Sequence, residues 1–127
     1  MNLNRLAGFA VAVLVVFGLA LGQGKSEKSL TYSKDVAPLV KKYCLPCHAA
    51  DNDNSSELVL DSYDTLRQGG KHGDPLVPGK PKESNMYMKL LADPEFGRQM
   101  PRGKGPKPTE EEIKLIYDWI LQGAKKE

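Results

Sequence analysis

The 127-residue chain holds two cysteines and two histidines, and three of those four side chains stand together in Cys44-Leu45-Pro46-Cys47-His48. Positions i, i+3 and i+4 of a helical turn share one face. Two thiols so placed can add to the two vinyl groups of a haem as thioethers, while the imidazole next to the second thiol binds iron from one side of the ring. This is the spacing of c-type haem attachment, and an adjacent Cys–His pair suits a tetrahedral zinc site poorly. Two plainer readings compete with it. An inert cysteine pair beside a surface histidine would make little structural use of its sulfurs, because a disulfide across two residues closes too small a loop to stabilise much. A thiol-redox site of thioredoxin type would need an apolar strand running into the motif. Here the preceding pattern is helical and carries Lys41 and Lys42.

Iron held by one histidine leaves a sixth position. The candidates are Met86, Met88, Met100 and His72. A thioether raises the reduction potential and suits electron transfer. Met100, followed by Pro101 in a Gly/Pro loop, can lay its sulfur across the ring without breaking regular structure, and it is the expected ligand. Met86 and Met88 fall on a helical pattern, where methionine usually fills core. His72, between Lys71 and Gly73, would give a bis-histidine centre and is the alternative, although a histidine so flanked reads as a solvated loop residue.

The elements that must position these groups are short. Val36, Ala37, Leu39, Val40 and Tyr43 predict a helix over Asp35–Cys44, with Asp35 as N-cap and Pro38 in the first turn. Asp51–Glu57 is a polar loop. Leu58 and Leu60 lie in an extended piece, and Asp61-Ser62 caps a small helix ending at Gly69-Gly70. Ser84 is expected to cap a helix reaching Leu91, with Met86, Leu90 and Leu91 inward. Thr109 and Glu112 form a capping box for a last helix on which Ile113, Ile116, Tyr117 and Ile120 share a face that Leu115 and Trp119 widen, and Gly123 closes it. Between Gly69 and Pro108 there are seven glycines and seven prolines, so the rest of the chain is loop.

Ahead of this domain, Arg5 precedes sixteen uncharged residues, Leu6–Leu21, and small residues at Ala20–Gly22. Residues 1–22 are the pattern of a secretory signal peptide, with a retained membrane anchor as the alternative. Residues 23–31 are a polar, lysine-rich flexible lead, and residues 32–127 form the folded domain. Past residue 22 only 35 side chains are apolar, a thin core for a domain this small; a flat, mostly apolar haem would complete it. The net charge of +2 is too small for a nucleic-acid binder.

In order along the chain stand Tyr32, Asp35-Val36-Ala37-Pro38-Leu39, Cys44-x-x-Cys47-His48, Leu58-x-Leu60-Asp61-Ser62, Gly69-Gly70, Val77-Pro78-Gly79, Ser84, Met100-Pro101 and Trp119-Ile120-x-x-Gly123-Ala124. This series resembles the planctomycete-type cytochrome c domain, a branch of the small single-haem cytochromes c, from Tyr32 to Ala124. The resemblance implies an all-α cytochrome c fold, its N- and C-terminal helices packed together and short helices and Gly/Pro-rich loops around one haem. It implies Cys44 and Cys47 as thioether anchors of one covalently attached haem c, His48 as proximal and Met100 as distal iron ligand, and haem-pocket loops containing Gly69, Gly70, Val77, Pro78 and Gly79. One departure is Arg102, where members often carry a second proline after Met-Pro.

A haem ligated on both faces leaves no site for substrate. The expected function is therefore electron transfer by an exported, periplasmic protein with protein redox donors and acceptors, rather than enzyme catalysis. Arg98, Arg102, Lys104 and Lys107 around the Met100 loop could steer an acidic partner or simply be a solvated rim. A haem enzyme or small-ligand sensor with an open sixth site is one alternative; an electron-transfer subunit of a larger exported complex is the other. Contact with a membrane is expected only if the N-terminal segment is retained.

Overall fold

The computed structural model describes residues 28–127; the expected signal peptide and the first part of the lead lie outside the described residues. A π-helical turn, Tyr32–Val36, runs into α1 (Ala37–Tyr43). Then come α2 (Leu45–His48), α3 (Tyr63–Gln68), a 3-10 turn (Pro81–Glu83), α4 (Asn85–Met88) and α5 (Glu110–Leu121). Among the described residues there is no strand, only an isolated bridge between Gly70 and Gly73. The all-α expectation stands.

The first helical segment starts earlier than the periodicity of its apolar residues predicts. Thr31, not Asp35, is the N-cap: its hydroxyl accepts from the Lys34 N–H at 3.4 Å, and the Asp35 carboxylate reaches back to the Thr31 N–H at 2.9 Å. The Thr31 hydroxyl thus satisfies the Lys34 donor and the Asp35 carboxylate that of Thr31, across one widened turn. Pro38 falls in the first turn of α1 as expected. Pro46 lacks the N–H that would continue the ladder, and the segment breaks at Cys44 into α1 and α2. The break is mild. Cys44 keeps a helical backbone (φ −109°, ψ −46°), and its carbonyl accepts from the N–H groups of Cys47 and His48 at 3.0 and 2.9 Å.

In α5 the capping box of Thr109 and Glu112 forms as predicted. The inward stripe is centred differently: Trp119 and Ile120 are fully buried and Ile116 nearly so, while Ile113, Leu115 and Tyr117 are half-buried. The Trp119 ring lies 6.0 Å from that of Tyr32, which meets Tyr63 edge-on at 5.4 Å. With Val36 and Val40 these rings join the first and last helices into one core. The segment leading into the first helical turn and the C-terminal tail interlock beside it. Tyr32 and Ser33 donate their N–H groups to the carbonyls of Lys125 and Lys126, at 2.8 and 3.1 Å, and the Trp119 indole donates to the Lys125 carbonyl at 2.9 Å. Leu30 donates its N–H to the Gln122 side chain at 2.8 Å, so Leu30 and Thr31, at the end of the expected lead, are buried.

Ser62 caps α3 through a reciprocal pair with Thr65, and Gly69 follows with φ +72°. The helix expected from Ser84 to Leu91 ends at Met88. Ser84 is its N-cap residue but makes no side-chain cap. Its buried hydroxyl accepts from the Val77 N–H at 2.9 Å and lies 2.9 and 3.2 Å from the carbonyls of Lys80 and Val77. That hydroxyl closes the proline-rich loop, while the Ser84 carbonyl accepts the first bond of α4 from the Met88 N–H at 3.0 Å.

Candidate functional site

Between α2, α4 and the Met100 loop lies a cavity of about 740 Å³, within the size range of cofactor sites. Cys44, Cys47, His48 and Met100 all line it. Two elements bring them there. The α1–α2 turn carries the first three residues, and the Met100 N–H donates to the Lys89 carbonyl at 2.7 Å, tying the loop to the end of α4. The walls are apolar: Leu58, Leu60, Leu66, Leu90 and Pro75 contribute.

His48 Nδ1 lies 2.9 Å from the Leu58 carbonyl oxygen. A carbonyl only accepts, so Nδ1 carries the proton and donates. Nε2 is then the nitrogen with a free lone pair, and the ring is held against rotation, as metal-ligating histidines require. The backbone repeats the tie: the Leu60 N–H donates to the His48 carbonyl at 2.8 Å. Cys44 and Cys47 are free thiols, the first half-buried and the second exposed. Burial, followed by the nearby Cys47, pushes the Cys44 thiol up to about 11, so it is neutral at ordinary pH.

Of the other candidate ligands, Met86 also lines the cavity, whereas Met88 and His72 do not. His72 is exposed, its ring 6.1 Å from that of Phe96. The expected pocket loops are displaced from the cavity surface: Gly70, Val77 and Pro78 are not among its lining residues, nor are Gly69 and Gly79. Gly70, Val77 and Gly79 brace it from behind. A Cβ on Gly70 would come within 2.3 Å of the Ser56 carbonyl oxygen and 2.7 Å of the Leu58 nitrogen, so glycine there lets the loop close on the segment that holds His48. Val77 is fastened by Ser84, and Gly79 donates its N–H to the Ile120 carbonyl of α5 at 2.7 Å.

Three contributors were not evident from the sequence. The Leu58 carbonyl is one, since a backbone acceptor leaves no residue-type signal. Tyr43 is the second. It lines the cavity and donates its hydroxyl to Glu112 at 2.7 Å, fastening the cavity wall to the start of α5. Lys89 is the third; it and Arg102 are the two cationic lysine and arginine side chains of the lining, while Arg98, Lys104 and Lys107 stay outside it.

The residues present fit the haem that the motif predicts: two free thiols, an imidazole with Nε2 available, a thioether sulfur and apolar walls around one cavity. A family model for planctomycete cytochrome C matches residues 44–102, from the first cysteine of the motif to two residues past Met100. No curated protein and no solved structure matches the chain.

Proposed function

We propose, on the premise that residues 44–102 carry a planctomycete-type cytochrome c domain, that the protein is an exported electron carrier with one covalently attached haem c. The observation that carries this reading is the orientation of His48: its Nδ1 is engaged by the Leu58 carbonyl, so Nε2 is available at a cavity that Cys44, Cys47 and Met100 also line. The bound group would supply one-electron iron chemistry. Cys44 and Cys47 would hold the ring through thioethers, and His48 Nε2 and Met100 would hold its iron. The first and last helices, packed through Tyr32 and Trp119, back the haem as in the cytochrome c fold.

With iron ligated on both sides, no position is left for a substrate, and the activity is outer-sphere electron exchange with protein donors and acceptors. The Arg5-led apolar stretch Leu6–Leu21 directs export to the periplasm, where haem is attached after translocation.

A redox titration of the purified holoprotein with spectra tests the reading. The expected result is a low-spin haem in both oxidation states, with a weak absorption at the red end of the oxidised spectrum from Met–iron bonding. A high-spin spectrum would support an open sixth site and a ligand-binding or catalytic role instead. Replacing Cys44 and Cys47 together by alanine should leave no haem on the protein after acid–acetone extraction; haem that survives extraction from that variant refutes covalent attachment at these residues.

A further inference from the structure

We infer that Lys89 and Arg102 form the anion-holding end of the cavity and pair with the two propionate carboxylates of the haem. The inference rests on the haem reading above and goes further, by assigning two residues whose charge that reading does not use. Both side chains line the cavity. The bond from the Met100 N–H to the Lys89 carbonyl ties their two backbone segments together, so the two cations share one wall. Among the described residues, neither takes part in an ion pair.

The partners of Lys89 are neutral: its ammonium sits 4.3 Å from the centre of the Phe96 ring and donates to the Phe96 carbonyl. Lys89 is half-buried and Arg102 exposed, and with no carboxylate on either, both cations are free to hold an anion at the cavity. Asp53 is the one carboxylate of the lining, and it forms an ion pair with neither cation. The ligand that satisfies this wall has a flat apolar body and carboxylates at one edge. A haem has that form, and guanidinium and ammonium donors hold carboxylates by charge-assisted hydrogen bonds.

The test uses holoprotein whose haem carries isotope-labelled propionate carboxyls, and reads their stretching bands in redox-difference infrared spectra. Lys89→Met and Arg102→Gln should each shift the labelled bands, and the double variant should shift them further. Arg102→Lys, which keeps the charge, should stay nearer the wild type than Arg102→Gln. Lys104→Gln, which removes an exposed cation outside the lining, should leave the bands in place. Labelled bands unmoved in the double variant overturn the inference, as does a shift of equal size in Lys104→Gln. A wild-type protein with no covalent haem would overturn the underlying haem reading, and that outcome is distinguishable because no labelled band is then seen.

Discussion

At the scale of single residues, the imidazole of His48 is governed by an atom with no sequence signature. The Cys44-x-x-Cys47-His48 spacing is legible because covalent attachment demands particular side chains at particular intervals. The choice of Nε2 over Nδ1 is made by the Leu58 carbonyl at 2.9 Å, ten residues away, and any residue would supply that oxygen. The sixth ligand poses a related problem. Two sulfurs, Met86 and Met100, line the cavity, and their side-chain chemistry is identical. Met100 belongs to a loop tied down by its own N–H, while Met86 belongs to α4. Met100→Ala should therefore lower the reduction potential or give a high-spin oxidised spectrum, whereas Met86→Ala should keep the red-end band. Loss of that band in Met86→Ala alone, with Met100→Ala unchanged, would assign the ligand to Met86.

At the scale of elements, local chemistry was the most readable part of the chain. The cap at Ser62, the helix end at Gly69 and the capping box at Thr109 need only neighbours in sequence, and they form where expected. Expectations that required a tertiary partner fared less well. Asp35 has the composition of an N-cap, but Thr31 takes that place because the preceding residues are packed against Gln122 and the C-terminal tail. Ser84 has the same composition, and its hydroxyl is drawn to Val77 and Lys80. Trp119 was assigned to the margin of the α5 stripe because periodicity ignores what a large ring can reach, here Tyr32.

The caps also set a pH dependence. The Glu112 carboxylate lies below its usual range because it accepts from the Thr109 N–H and then from the Tyr43 hydroxyl; Asp35 is lowered by Lys28 and then by the Thr31 N–H. A carboxylate with a depressed folded pKa adds stability above its unfolded pKa, near about 4, and loses it as pH falls through the folded value. Denaturant midpoints of the holoprotein should fall as pH drops from about 5 to about 3. Glu112→Gln should flatten part of that fall, and Thr109→Ala should cost about 1 kcal/mol at neutral pH. An acid limb of unchanged slope in Glu112→Gln would remove that residue from the account.

At the scale of the whole molecule, the composition pointed to a thin core completed by a flat apolar group, and the observed core is one small cluster that continues into the cavity wall. Trp119, Ile120, Val36 and Val40 pack the first and last helices together, while Leu58, Leu60, Leu66 and Leu90 face the cavity. The bracing positions Gly70, Val77 and Gly79 were legible as special but not as to what they support, since that depends on which distant segment folds against them. The interlock of the C-terminal tail with the segment around Tyr32 was not legible at all, because it runs through backbone groups. Lys125 and Lys126 are exposed and their charges look dispensable, yet their carbonyls accept from Tyr32, Ser33 and the Trp119 indole.

A net contribution of about 1 kcal/mol per hydrogen bond predicts that deleting residues 125–127 destabilises the holoprotein by about 2–4 kcal/mol. Substituting Lys125 and Lys126 together by alanine should cost under about 1 kcal/mol, since the carbonyls remain and what is lost is the exposed Lys126–Asp64 ion pair and the contact of the Lys126 ammonium with the Tyr63 ring. Urea unfolding of the two variants beside the wild type separates the contributions. Equal losses in the deletion and the double alanine variant would mean that side chains, and not the backbone interlock, hold the C-terminal tail against the segment around Tyr32.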